Sequence, residues 1–259
     1  MAIPTWITTE MDQYNCNRSS SKKSFANSDF GRFLLHARTI GLEDLLPKKK
    51  SLNVLVVGPS GHDIFGYQHY ELFEMMAYLK KCGKDYNAID VVDIISESLA
   101  ELIEAEQIKV PFCWENEKMF QNAWKEYNLY MFGKSVEDHK NNDHAGIDLP
   151  PRFKEDIDNR KIITYCDDIV TTSLPLNGKK YDLIVCRNVL YQLSDSGQKV
   201  ALYNFARSME DDSLLMIGLG GELGGIKFPD LKDWFNEEFQ RELELKIVEN
   251  TYDTVIQRI

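Results

Sequence analysis

The chain has 259 residues, 43% of them hydrophobic and 27% charged, a globular composition that excludes wholesale disorder and collagen-like structure. Its 30 basic and 41 acidic residues give a net charge of −11, so neither nucleic acid nor an anionic membrane surface is expected as a partner. No apolar run approaches the roughly 18 residues that a membrane-spanning helix needs.

The cysteines and the first residues bear on metal binding and location. Of the five cysteines, no two lie within four residues of each other, so zinc-site spacing is absent and no metal site is predicted. Residues 1–10 lack the basic stretch followed by an apolar one that is typical of a secretory signal. With the odd number of cysteines, this predicts a reducing, cytoplasmic location.

Apolar runs and helical stripes alternate along the chain. Residues 1–25 are polar and predict a loose leader, and 26–259 predict one domain. In chain order, the predicted elements are a helix over 28–46, a strand over 53–57, a helix over 67–82, a strand over 87–93, a helix over 95–103, strands over 162–165 and 181–186, a helix over 198–209, a strand over 214–217, a helix over 231–239, and strands over 243–247 and 252–258. This alternation predicts an α/β fold with a mostly parallel, seven-stranded sheet, in which the last two strands form an antiparallel hairpin.

Residues 107–160 interrupt the alternation. They contain a helix candidate rich in aromatic residues, including Trp124 and Tyr127, and they end at Pro150-Pro151. We interpret them as an inserted subdomain or lid, whose aromatic side chains are expected to pack rather than to contact a ligand.

The first two strands end in residues that suit a nucleotide. Ligands of an open α/β sheet bind at the carboxyl ends of its strands. Gly58, Ser60 and Gly61 follow the first strand, where glycines let the backbone approach a ligand and expose N–H groups. Asp93 ends the second strand, where a carboxylate can accept hydrogen bonds from both ribose hydroxyls. The alternative for Asp93 is a helix cap.

The third and fourth strands add further polar groups. Asp168 follows the third strand and can accept a hydrogen bond from an adenine amine, or else form a turn. Arg187 and Asn188 follow the fourth strand, and burial of that arginine is costly unless it is paired. These positions predict an adenosine-sized ligand across the strand ends. A sheet of seven strands that ends in an antiparallel hairpin favours S-adenosylmethionine (SAM) as that ligand.

Residues 181–190, Tyr-Asp-Leu-Ile-Val-Cys-Arg-Asn-Val-Leu, closely resemble the fourth-strand motif of the chemotaxis receptor glutamate methyltransferases, the CheR type. Residues 27–32 resemble a degenerate form of the segment that precedes the first strand in this family. The resemblance implies a Rossmann-like class I methyltransferase fold with SAM as cofactor. It also implies that Arg32 lies beside the methyl-transfer site and that Asn27 and Asp29 contact the cofactor.

Three other segments are similar to the family in the expected order. Residues 91–94 resemble the end of its second strand and imply cofactor contacts by Asp93 and Ile94. Residues 149–169 resemble the stretch leading into its third strand and imply contacts by Asp168 and Ile169. Residues 219–222 are similar to the segment after its fifth strand, with only Glu222 retained. The family's tyrosine after the Arg-Asn motif falls on Gln192, and Tyr191 lies one place earlier.

The sequence therefore predicts a SAM-dependent methyltransferase whose acceptor is a protein carboxylate or a small molecule. An ionised carboxylate needs no general base, and Arg32 would orient it. A nitrogen or hydroxyl acceptor needs a base, for which His62, His69 and Tyr191 are candidates. Two alternatives stay open: a catalytically degenerate fold that binds protein or senses the cofactor, and another nucleotide-binding enzyme, such as one that uses NAD. The oligomeric state is not predicted.

Overall fold

The computed structural model describes most of the predicted domain. The described residues are 30–59, 61–63, 66–111, 117–134, 144–171, 176–187, 189–190, 193–218, 234–250 and 253–259. The predicted leader lies outside these ranges, so the division of the chain at residue 25 stays a prediction.

A seven-stranded sheet organises the described part of the chain. The strands are β1 (Ser51–Val57), β2 (Gly61–Asp63), β3 (Gly66–Gln68), β4 (Asp85–Asp93), β5 (Gln107–Pro111), β6 (His144–Asp148), β7 (Ile162–Cys166), β8 (Tyr181–Cys186), β9 (Met209–Gly218), β10 (Leu245–Asn250) and β11 (Asp253–Arg258). The central sheet has the order β10-β11-β9-β8-β1-β4-β7. Its strands are paired in parallel from β7 to β9, and β11 is antiparallel to both β9 and β10. The predicted fold class is therefore confirmed.

Helices cover both faces of this sheet. They are α1 (Arg32–Thr39), α2 (Leu42–Leu45), α3 (Tyr70–Lys81), α4 (Ser96–Glu104), α5 (Glu117–Phe132), α6 (Phe153–Asp158), α7 (Asp195–Ser208) and α8 (Glu237–Glu242). The side chains of β1 divide between two apolar clusters because successive residues of a strand point to opposite faces. Val54 and Val56 join the cluster that contains α1 and α3, and Leu55 and Val57 join the cluster that contains α7.

Three predicted helices are shorter in the structure. The helix predicted over 231–239, which is described from residue 234, begins only at Glu237 as α8. The helix predicted over 28–46 is divided into α1 and α2 at Gly41, whose φ of +65° lies in the left-handed region and interrupts the helix. The helix predicted over 67–82 begins only at Tyr70, because 66–68 form β3 and pair with β2 in a small antiparallel sheet. That sheet was not predicted.

The segment 107–160 forms an antiparallel pair, β5 and β6, together with α5 and α6. Ala123, Tyr127 and Met131 of α5 are buried in the same cluster as α1 and α3. The Tyr127 hydroxyl donates a hydrogen bond to the carbonyl oxygen of Asp148 at 2.9 Å. The inner face of α5 is thus a packing surface, as its aromatic residues predict.

Candidate functional site

The ends of β1, β4 and β7 stay hydrogen-bonded to one another beyond the strands. The N–H of Gly58 donates to the carbonyl oxygen of Val92 at 2.7 Å, and the N–H of Asp167 donates to that of Asp93 at 3.0 Å. The sheet therefore brings three predicted positions, Gly58, Asp93 and Asp168, to neighbouring strand ends on one edge. The chain continues from β1 to β4 on one side and returns to β8 on the other, which makes this edge a topological switch point.

Gly58 occupies a position that a side chain does not fit. Its φ is +58°, and a Cβ atom there would lie 2.4 Å from Cγ2 of Val189. The backbone turn after β1 consequently requires glycine for both its conformation and its closeness to the segment after β8. The close approach is to Val189, a residue of the protein itself, and the approach to a ligand stays a prediction.

Replacement of Gly58 by alanine is expected to lower the free energy of unfolding by roughly 2–4 kcal/mol, since left-handed strain and overpacking add. Gly83→Ala is the matched control, because Gly83 has a similar φ of +66° and nothing within 4 Å of its would-be Cβ. That control is expected to cost only about 1–2 kcal/mol. Urea unfolding of both variants measures the difference, and equal losses would show that the contact with Val189 is unimportant.

Asp93 and Ile94 lie side by side at the end of β4 but differ in exposure. Asp93 is buried, and its Oδ1 accepts a hydrogen bond from the N–H of Ile95 at 2.9 Å. This contact stabilises the turn before α4, but Asp93 is not the cap of that helix, since the N-cap residue is Ile95. Ile94 is 66% exposed, an unusual position for a large apolar side chain, and its backbone follows directly after the strand.

Asp168 forms a similar turn after β7. Its Oδ1 accepts a hydrogen bond from the N–H of Val170 at 2.9 Å, and its side chain is half-buried. Ile169 is buried in the α7 cluster. Asp93 and Asp168 thus share one local geometry, in which a carboxylate after a parallel strand bonds to the backbone two residues on.

Arg187 is the centre of a buried group of charges after β8. It is 4% exposed, its Nε donates to Oδ2 of Asp253 at 3.0 Å, and its Nη1 lies 3.6 Å from Oε1 of Glu71. Its Nη2 lies 3.2 Å from Nδ1 of His36. The desolvation cost of this arginine is therefore offset by carboxylates from α3 and β11. Its described contacts are with protein groups, and a contact with the cofactor stays a prediction.

A second buried carboxylate, Glu74 of α3, caps the N-terminus of α1. Its two oxygens accept hydrogen bonds from the N–H groups of Gly31 at 2.8 Å and Leu34 at 3.0 Å. Burial raises the pKa of Glu74 to about 8, although these two hydrogen bonds act to lower it. The backbone of Arg32, the first residue of α1, is held between these two contacts.

Sequence reasoning missed Glu71, Glu74, His36 and Asp253. None of them belongs to a motif, and their partners lie tens of residues away in the chain. The only signal was indirect, because a buried Arg187 requires a partner.

His69, a candidate base, is enclosed at the start of α3. Its Nε2 lies 2.8 Å from the carbonyl oxygen of Ser98, and burial lowers the pKa of the ring to about 4. An Nε2–H that donates to this carbonyl is not available to take up a proton. The packing role fits His69 better than the role of a base.

Several predicted residues lie outside the described part of the chain. For Arg32, Gly61 and His62 the structure describes the backbone only, with the last two in β2. The residues named in the sequence analysis that lie outside the described ranges altogether are Asn27, Asp29, Ser60, Asn188, Tyr191, Gln192 and Glu222.

Comparison with known proteins indicates the chemistry of the chain. Residues 133–240 match the family model described as the CheR methyltransferase SAM-binding domain. The protein is a SAM-dependent methyltransferase. The match covers less than half of the chain, includes β7, β8, α7 and β9, and confirms the predicted resemblance to the CheR type.

Solved structures with low sequence identity were also found. A TehB-like SAM-dependent methyltransferase from Corynebacterium glutamicum is 13% identical with a TM-score of 0.43, and the alignment covers 99% of this chain and 100% of that one. A SAM-dependent methyltransferase from Clostridium acetobutylicum is 10% identical with a TM-score of 0.45, covering 97% of each chain. No curated protein matches the sequence.

The described helices of this methyltransferase include none that is both long and apolar enough to cross a bilayer.

Proposed function

We propose that this methyltransferase binds SAM across the ends of β1, β4 and β7 and transfers the methyl group to an acceptor on the β8 side of the same edge. The observation that carries the proposal is the position of Gly58, Asp93 and Asp168 at the ends of three adjacent parallel strands. The acceptor is a protein carboxylate, in keeping with the CheR-type resemblance, or a small molecule.

The residues at this edge fit the parts of SAM. The carboxylate of Asp93, at the end of β4, suits the ribose hydroxyls, and the exposed side chain of Ile94 offers an apolar surface to the adenine ring. Asp168 is half-buried and suits the adenine amine. The backbone of the turn after β1, which contains Gly58 and continues to Ser60 and Gly61, is proposed to lie against the methionine part.

SAM supplies a methyl group that its sulfonium already activates. The chain therefore has to align the acceptor with the methyl carbon and sulfur and to exclude water. Arg32 is proposed to orient the acceptor, because α1 begins at this residue and Glu74 fixes the backbone on both sides of it. Tyr191 is proposed as a second residue beside the methyl group, as the tyrosine one place before Gln192, the position on which the family's tyrosine falls.

The ribose contact gives the most direct test of the cofactor site. Asp93→Ala is expected to weaken SAM binding by about 1–3 kcal/mol, because ribose hydroxyls would lose their acceptor. Titration calorimetry with SAM and with S-adenosylhomocysteine measures this loss. Asp85→Ala is the matched control, since Asp85 is exposed at the opposite end of β4 and should leave the affinity unchanged.

Two results would count against the proposal. An unchanged affinity in Asp93→Ala would remove Asp93 from the site. Binding of neither compound to the wild-type protein would contradict the proposed function, whereas binding without methyl transfer to any acceptor would favour a degenerate fold that senses the cofactor.

A further inference from the structure

The outer edge of β7 is open to another strand. β7 is the last strand of the central sheet, and β4 is its one neighbour among the described strands. The N–H of Asp167 donates to the carbonyl oxygen of Asp93 at 3.0 Å, so the odd-numbered residues of this segment are hydrogen-bonded to β4. Alternate residues of a strand direct their N–H and C=O groups to opposite sides. Those of Ile162, Thr164 and Cys166 are therefore directed away from β4.

A groove of about 410 Å³ runs along this edge. Its walls come from α6, the turn after it and β7, and most of the residues that line it are apolar: Ile157, Arg160, Ile162, Ile163, Thr164 and Tyr165. The residues in the middle of the strand are half-buried, and Cys166 at its end is exposed. The strand can thus be reached from the side opposite β4.

The two edge strands of the sheet differ in charge. β10, at the other edge, carries Lys246 and Glu249 within the strand, and charges of this kind discourage pairing with a further strand. The five residues of β7, Ile-Ile-Thr-Tyr-Cys, include neither a charge nor a proline. An apolar edge without such protection favours pairing.

The residues that flank β7 carry opposite charges at its two ends. Arg160 and Lys161 precede the strand, and Asp167 and Asp168 follow it. Arg160 and Asp167 are exposed, and the Lys161 side chain is 40% exposed. A strand that is basic at its start and acidic at its end is complementary in charge to an antiparallel copy of itself. This complementarity indicates a second copy of the chain as the partner.

Antiparallel pairing centred on Thr164 aligns all four of these charges. Each residue then lies opposite the one that is equally far on the other side of Thr164. Lys161 faces Asp167 of the partner subunit, and Arg160 faces Asp168 of the partner subunit. Centring the pair one residue earlier or later would leave neither cation opposite an aspartate.

The same register matches the backbone groups and the apolar side chains. Thr164 lies opposite its own copy, and Ile162 lies opposite Cys166 of the partner subunit. Residues with outward N–H and C=O groups thus meet and exchange hydrogen bonds. Ile163 lies opposite Tyr165 of the partner subunit, and a β-branched residue beside an aromatic one stabilises antiparallel strands.

We propose that β7 pairs with β7 of a second copy of this chain, so that the two central sheets form one continuous sheet across a two-fold axis at Thr164. The interface is the same surface on both subunits, as such an axis requires. The proposal concerns assembly and is independent of SAM binding and of methyl transfer.

Sedimentation equilibrium of the full chain tests for the dimer. At about 0.15 M ionic strength, charges more than roughly 8 Å apart are largely screened, which limits the repulsion from the net charge of −11. A species of twice the 30.0 kDa mass is expected to form as the concentration rises.

Charge reversal tests the alignment of the flanking residues. Lys161→Glu places like charges opposite each other at both ends of the pair and is expected to weaken association about 10-fold. The double variant Lys161→Glu, Asp167→Lys restores opposite charges and should recover the affinity. Lys246→Glu, the same change on the exposed part of the other edge strand, is the control and should have no effect.

Disulfide cross-linking tests the register. Thr164→Cys, combined with Cys166→Ser, brings two thiols opposite each other at a Cα separation of about 5.5 Å, within the range of a disulfide. Mild oxidation is expected to give a covalent dimer. Asp158→Cys with Cys166→Ser is the control, since Asp158 is exposed at the end of α6 and lies far from its own copy in this register.

Three results would overturn the proposal. The first is a chain that stays monomeric up to the highest concentration at which it is soluble. The second is a dimer that Lys246→Glu weakens at least as much as Lys161→Glu does. The third is a dimer in which Thr164→Cys cross-links no better than Asp158→Cys. If circular dichroism shows that Lys161→Glu does not fold, the cross-linking result decides.

Discussion

Replacement of Arg187 by methionine is expected to lower the free energy of unfolding by about 3–5 kcal/mol, a loss typical of a broken buried ion pair. Methionine fills much of the same space but leaves Asp253 and Glu71 without their cation. Both carboxylates are nearly inaccessible, with side-chain exposures of 0% and 11%. Urea unfolding monitored by tryptophan fluorescence measures the loss.

A control substitution at an exposed arginine shows how much of the expected loss depends on burial of the ion pair. Arg38→Met removes another arginine from an ion pair, but the Arg38 side chain is 51% exposed, and the expected loss is at most about 1 kcal/mol. If Arg187→Met is too unstable to measure, the double variant with Asp253→Asn is expected to regain part of the stability, because one unpaired charge is removed. Equal losses in the two arginine variants would show that the buried group contributes no more than a surface pair.

The sheet could be predicted from the sequence because its strands are covered on both faces. A strand of that kind appears as a short continuous apolar run, and the run over 181–186 gives β8 with the same bounds. The hairpin of β10 and β11 was also expected, since no helix separates the two runs. The small sheet of β2 and β3 has no such run, because each of its strands is only three residues long.

The residues of the candidate site likewise fall into those that the sequence predicts and those that it does not. Gly58, Asp93 and Asp168 could be proposed from the sequence because each lies at the end of a predicted strand or within a few residues of it. The partners of Arg187 could not, since Asp253 is 66 residues away and meets the arginine only when β11 inserts beside β9. The contact that caps α1 could not be predicted either, because Gly31 and Glu74 are 43 positions apart in the sequence.

Glu74 makes the stability of this protein depend on pH. Burial raises its pKa from 4.5 to about 8 in the folded state. Below pH 4.5 both states hold the proton, and between that pH and about 8 the unfolded state loses it while the folded state keeps it. The contribution of this group to stability therefore falls as the pH rises through this window and is constant above it, a total decline on the order of 5 kcal/mol.

Glu74→Gln is expected to remove that decline. The glutamine oxygen still accepts one of the two α1 N–H groups, but its amide nitrogen cannot accept the other, so the variant should be less stable than the wild type at pH 5 by about 1–3 kcal/mol. Its free energy of unfolding should then approach or exceed the wild-type value by pH 9, because it buries no charge. Urea unfolding at intervals between these two pH values measures both curves, with the exposed Glu238→Gln as control. Parallel curves for the wild type and Glu74→Gln would mean that the cap of α1 carries its negative charge throughout, and that other groups in the buried cluster, Arg187 foremost, compensate for its burial.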